Sequence, residues 1–339
     1  MTLPDPGPSA NSDGLTRADL EREILGEEPC LTAAEVVSDD ASIDSARILW
    51  RALGFPDAGD TPAFTRGDKD AMALLLSLVG SGALEFDIAV KLTRAVGRTM
   101  ARLADWQVAT LSEYVERLEH EGRGTGSRLT TGLDLVKRLE PSFEELMTYA
   151  WRRHLAVAVG RVEALGATDS HLHTVQVTVG FADLVNFTQL STDIPEDRLA
   201  GMVEGFESTC ADLVTAHGGR VIKTLGDSVL FVAETPSVGV EIGLQVIEKI
   251  GRDKNFPDVR VGMATGSVIG RLGDVFGPPV NLAARLTTVA RRNRIILDHA
   301  SADLLSEEFE TRTLPPRPLR GFGNVEPVTV RRRWSYTGR

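Results

Sequence analysis

The chain has 339 residues, 42% hydrophobic and 25% charged, enough for about two domains with separate cores. A formal net charge of -11 argues against a general nucleic-acid or membrane-surface role. Only two cysteines occur, Cys30 and Cys210, so no disulfide framework is expected and a reducing cytoplasm is the expected compartment.

The opening MTLPDPGPSANSDG lacks a basic stretch followed by an apolar one, so no secretory signal is expected. Residues 1–15 are rich in Pro, Gly, Ser and Asp and read as a disordered tail. From there to residue 141 the pattern is helical. The apolar stretch Ala71 to Leu84 is interrupted by Gly80-Ser81-Gly82 and is too short to span a bilayer, so no membrane span is expected. Ile88, Ala89, Leu92, Val96, Met100, Leu103, Trp106 and Val108 recur at three-to-four spacing and predict a helix face. Glu121 to Ser127 (EGRGTGS) predicts a break. This half carries no paired carboxylates, Cys/His set or phosphate loop, and reads as an all-α regulatory or interaction module. Ser142, followed by Glu144 and Glu145, predicts the capped start of a connecting helix, which with its linker takes up residues 142–171.

From residue 172 to 339 the period changes. Val175 to Phe181 predicts a strand, Glu196 to His217 an amphipathic helix, and Val221 to Val232 a β-hairpin hinged on Gly226-Asp227. A helix from Val238 to Lys249, a strand from Val259 on, a helix from Pro279 to Arg291 and strands at Arg294–Leu297 and Val328–Arg332 follow. The interleaving predicts an α+β fold, a ferredoxin-like βαββαβ sandwich.

Three stretches carry the chemistry. Asp183 lies where an apolar strand ends (Gly180 to Thr188, GFADLVNFT). Lys223 and Asp227 share the hairpin. In Leu272 to Arg285 (LGDVFGPPVNLAAR), Asn281 and Arg285 are spaced i,i+4 on one helix face, with Asp274 before the Gly277-Pro278-Pro279 turn. Together these residues resemble the class III nucleotidyl cyclases, over residues 172 to 333. The resemblance implies that Asp183 and Asp227 hold two divalent cations, Mg²⁺ or Mn²⁺. It implies that Asn281 and Arg285 act on the ribose and the transition-state charge. Backbone N–H groups from Leu184 to Thr188, Phe187 and Thr188 among them, and the side chain of Arg320 are the expected triphosphate contacts.

A Lys donor beside an Asp acceptor, Lys223 and Asp274, complements the adenine edge and mismatches guanine, so ATP is the expected substrate. Guanylyl cyclases of the family replace this pair. A cyclase-like domain that only binds nucleotide would be expected to lack one of these polar residues, and none is missing. The family's geometry implies a homodimer whose sites combine the carboxylates of one subunit with Lys223, Asp274, Asn281 and Arg285 of the other. The helical half, notably Thr93 to Trp106, resembles the regulatory domain of soluble bacterial adenylyl cyclases that respond to pH. That implies a proton or a fatty acid as regulator, with His154, His171 and His173 as candidate sensors.

Overall fold

The computed structural model describes residues 17–37, 42–57, 59, 61–164, 174–271 and 273–333. The tail over 1–15 and two candidate sensors, His171 and His173, lie outside the described residues. The chain divides into two compact units, Met1–Val157 and Ala158–Arg339. No helix among the described residues is long and apolar enough to cross a membrane.

Helices α1 (Arg17–Leu25), α2 (Ala33–Val36), α3 (Ile43–Leu53), α4 (Arg66–Gly80), α5 (Phe86–His120) and α6 (Arg128–Ala164) come first. Val36, Leu49, Phe64, Met72 and Ala89 form the core of the helical unit. The break over Glu121 to Ser127 falls between α5 and α6, where the Glu119 carboxylate accepts from the N–H groups of Thr125 and Gly126.

Two expectations are corrected here. The predicted α5 stripe is helical, but Ile88, Leu92, Val96, Met100, Trp106 and Val108 are exposed. Of the predicted stripe Ala89 is buried, and from it the buried stripe continues through the small residues Thr93 and Gly97. A Cβ on Gly97 would stand 2.2 Å from the carbonyl oxygen of Leu53, so only glycine lets α3 approach this closely. Ser142 is not a helix cap, because α6 already begins at Arg128 and continues through Pro141. Leu135 packs on Val115 and Leu118 of α5 and holds the turns before the proline in helix, so the chain forgoes a backbone bond there without ending.

The α+β unit contains β1 (Thr174–Leu184), α7 (Phe187–Asp193), α8 (Glu196–Ala216), β2 (Arg220–Thr224), β3 (Ser228–Ala233), α9 (Pro236–Lys249) and β4 (Val259–Arg271). After them come β5 (Asp274–Phe276), α10 (Pro278–Val289), β6 (Arg294–Leu297), α11 (His299–Asp303), β7 (Phe309–Thr313), β8 (Arg317–Leu319), β9 (Gly323–Val325) and β10 (Val328–Arg332). The sheet order is β2-β3-β1-β4-β6-β10-β7, with β5 paired to β4. Its first four strands, antiparallel throughout, with α8 and α9 between them, make the expected ferredoxin-like βαββαβ core.

Alternation along the strands divides the apolar residues between two layers. Leu184, Phe231, Val261 and Met263 pack with Phe206, Cys210 and Val214 of α8 and Val240, Ile242 and Val246 of α9. Val179, Phe181, Leu230, Ala264 and Ile296 pack on the other face with Ala283 and Leu286 of α10 and Leu319 of the β8–β9 hairpin. Burial pushes the Cys210 thiol up to about 12, so it is an inert core group.

Candidate active site

The β2–β3 hairpin turns through Leu225, Gly226 and Asp227, with Gly226 in the left-handed region at φ 70°. The Asp227 carbonyl accepts from the Leu184 N–H at 2.9 Å, which ties the hairpin tip to the end of β1. Asp183 sits one residue before, opposite Ser228 in the β1–β3 ladder. The two acidic side chains thereby share one end of the sheet. Burial, and then the neighbouring Asp183 charge, raise the Asp227 carboxyl above its ordinary value. Such a pair of neighbouring carboxylates suits a divalent cation. Among the described residues no cluster of three or more His, Cys, Asp or Glu side chains converges to hold a metal ion. Two carboxylates whose remaining coordination positions are left to water and phosphate oxygens match Mg²⁺ and Mn²⁺ rather than an all-protein cage.

On the same hairpin a bulge between Val221 and Lys223 shifts the register, so that Lys223, not Ile222, lies opposite Leu230. One extra residue turns a side chain to the other face of a strand. Lys223 therefore joins the α10 face, where its Nζ donates to Asp274 Oδ2 at 2.6 Å. Asp274 itself is placed by the β4–β5 hairpin, opposite Arg271. The charges that act on Asp227 are those of Asp183 and Arg260.

Asn281 and Arg285 lie along α10, whose Ala283, Leu286 and Thr287 are buried, while both polar side chains are exposed. Arg285 makes no ion pair with any described residue. Arg320 is exposed in the turn between β8 and β9. Phe187 is half-buried, with its ring packed against the α8/α9 core. Of the five predicted backbone donors, Leu184 and Val185 are already engaged, by the carbonyls of Asp227 and Asp258. This removes them from the expected triphosphate contacts and leaves the stretch from Asn186 to Thr188.

Sequence reasoning missed Arg260, whose Nε donates to Asp183 Oδ2 at 2.6 Å. Its signal was a single charged residue between the apolar Val259 and Val261. The ladder alone reveals that it stands opposite Asp183.

The model of the adenylate and guanylate cyclase catalytic domain matches residues 171–331. An adenylate cyclase of Streptomyces coelicolor is 37% identical over 98% of this chain and 98% of its own length. An adenylate cyclase of Streptomyces griseus is 40% identical over 86% of this chain and 72% of its own. A pH-sensitive adenylate cyclase of Mycobacterium tuberculosis is 29% identical over 94% of this chain and 82% of its own.

Proposed function

This chain belongs to the adenylate and guanylate cyclase family, and we propose that it converts ATP to 3′,5′-cyclic AMP and pyrophosphate at a seam between two copies. The choice of ATP is carried by one observation, the donor–acceptor pair of Lys223 and Asp274 at 2.6 Å. An ammonium beside a carboxylate offers adenine a donor for its ring nitrogen and an acceptor for its amine, and guanine meets both with the wrong partner.

In the reaction the ribose 3′-oxygen forms a bond to the α-phosphorus, the bond to the β-phosphate oxygen breaks, pyrophosphate leaves, and the hydroxyl loses its proton. Asp183 and Asp227 would hold two divalent cations, Mg²⁺ or Mn²⁺, which supply charge neutralisation on the phosphates and acidify the hydroxyl. Asn281 orients the ribose, and Arg285 meets the charge that develops on the phosphates. Arg320 and the backbone of Phe187 and Thr188 hold the triphosphate.

The homodimer is supported by what the α+β unit leaves uncovered. Leu225 at the hairpin tip and Ile269 and Phe276 on the β4–β5 arm are about half exposed, at 52%, 49% and 51%. These apolar side chains accompany Lys223, Asp227 and Asp274, and a second copy would cover them. Residues 172–339 form the catalytic domain in this reading, 16–141 the regulatory one and 142–171 their connection. Acidification raises activity by releasing the helical restraint, consistent with the relative whose name describes it as pH-sensitive. His154, exposed on α6, is the described candidate sensor. The alternative regulator in this reading is a fatty acid, for which the helical unit offers a small cavity of about 220 Å³ lined by Val36, Trp50, Phe64 and Met72, with both Arg47 and Asp57 beside them.

The test is turnover of ATP against GTP by the full chain, with Mn²⁺ or Mg²⁺ and with EDTA. Cyclic AMP formed only with a divalent cation, with ATP preferred by at least about a hundredfold in kcat/KM, is the expected result. Preference for GTP would assign the chain to the guanylyl cyclases, and absence of turnover on either would leave a nucleotide-binding role.

A further inference from the structure

Among the described residues other than glycine, two hold a left-handed backbone, Asn186 at φ 60° and Asn293 at φ 53°. One chain of hydrogen bonds joins their neighbourhoods. Asn186 opens α7, just past the acidic end of β1, and Asn293 lies in the turn from α10 into β6. The Asn293 backbone N–H donates to the Val259 carbonyl at 2.6 Å, and its side-chain Oδ1 accepts from the Val259 N–H at 3.0 Å. Its Nδ2 donates to Asp258 Oδ1 at 2.7 Å and to the Gly251 carbonyl at 3.3 Å. A Cβ on Gly251 would stand 2.3 Å from that Oδ1, so the loop after α9 closes directly onto the side chain. Asn293 therefore grips the entry to β4 from the β6 side. On the other side Val259 lies opposite Leu184, and the Asp258 carbonyl accepts from the Val185 N–H at 2.8 Å. Val185 directly precedes the Asn186–Thr188 turn.

We propose that Asn293 is a positioning residue for nucleotide binding: by gripping Asp258 and Val259 it fixes Val185, and so presents the backbone N–H groups of the Asn186–Thr188 turn to the triphosphate in an ordered state. Asparagine suits the place because it tolerates a left-handed backbone and its amide carries both an acceptor and donors. Glycine would supply the turn without the side-chain bonds. The other hold on the Asp258 side chain, from Arg292 at 3.5 Å, is exposed and correspondingly weak. Without Asn293 the incoming phosphates must order the turn themselves, which reduces affinity. Asp183 is secured separately, by ladders to β3 and β4 on its two flanks. The effect therefore falls on substrate binding and not on the chemical step. The inference rests on the reading of that turn as the holder of the triphosphate.

The experiment compares the full-length wild type with Asn293→Gly, Asp258→Ala and the double variant, at saturating Mn²⁺ and well below the Tm of each. Asn293→Gly keeps the left-handed turn and removes only the side-chain bonds. It is expected to raise KM for ATP about tenfold, with kcat within about twofold of wild type, the pattern of lost uniform binding. The inhibition constant of the product pyrophosphate should rise by the same factor, because the turn meets phosphates in both. Asp258→Ala should shift both constants in the same direction. The double variant should be within about twofold of Asn293→Gly, because the two substitutions cut one path. Should Asn293→Gly fail to fold, Asn293→Asp takes its place, since it keeps the acceptor for Val259 and loses the two donated bonds. If pyrophosphate inhibits wild type but the variants show a lowered Tm with both constants unchanged, Asn293 is merely structural and its proposed role is refuted alone. If wild type forms cyclic AMP and pyrophosphate does not inhibit it, the reading of the turn as a phosphate holder is refuted and the proposal falls with it.

Discussion

Asp227→Asn is expected to lower kcat by about a thousandfold with the fold intact, since loss of one of two cation-holding carboxylates removes several kcal/mol of transition-state stabilisation. The amide fills the same space, and the contact that anchors the hairpin is made by the backbone carbonyl of residue 227, which the substitution leaves in place. Stability should move in the opposite direction to activity. Burial and the Asp183 charge raise the Asp227 carboxyl, so the folded chain holds that proton more tightly than the unfolded chain. The stability linked to the proton is therefore present below the ordinary carboxylate value, about pH 4, and is lost as pH rises through the raised one. The Asn variant never carries that charge. Its Tm in EDTA should match wild type in acid and exceed it increasingly toward neutral pH. Turnover and melting curves check both halves, and a variant with wild-type turnover would remove Asp227 from the chemistry.

The second large effect is expected at the base-reading pair. Lys223→Met should reduce kcat/KM for ATP by about a hundredfold, or ~3 kcal/mol, because Asp274 loses its partner and the adenine ring nitrogen its donor. Turnover of GTP should not fall with it, which separates lost recognition from general damage. Stability should change by only about 0–1 kcal/mol, since the side chains of Lys223 and Asp274 are 37% and 27% exposed and the ion pair is partly screened. An equal loss with both nucleotides would show that Lys223 supports the hairpin and does not read the base.

Much of the α+β unit was legible because its central strands are runs of buried β-branched and aromatic residues with glycine at the turns. β6 and β10 have the predicted limits Arg294–Leu297 and Val328–Arg332, and the hairpin turns where Gly226 and Asp227 predicted. The segment from Phe309 to Val325 was not legible. Its strands β7, β8 and β9 have five, three and three residues around Pro315 and Pro316, too short for alternation to register. Likewise β5 has three residues and exists only as the return of the β4 arm.

In the helical unit, periodicity located α5 but could not tell which side would be covered. Bulk favoured the stripe with Leu92, Met100 and Trp106, whereas close approach of α3 selected the small-residue stripe. At the candidate site, residue types and spacing singled out Asp183, Lys223, Asp227 and Asp274, and the fold brings them together in pairs. What no spacing reveals is register. The bulge that turns Lys223 toward Asp274 and the ladder position that sets Arg260 against Asp183 are both properties of paired strands.

The central claim, that each site is assembled from two copies of the chain, is tested most directly by mixing two inactive variants. Asp183→Asn lacks a cation holder and Arg285→Ala lacks the group proposed to meet the developing phosphate charge. Each alone should be nearly inactive. After equal amounts are unfolded and refolded together, half the dimers should be mixed, each with one intact and one doubly defective site, restoring about a quarter of wild-type activity. A mixture that forms mixed dimers yet stays inactive would contradict the shared seam.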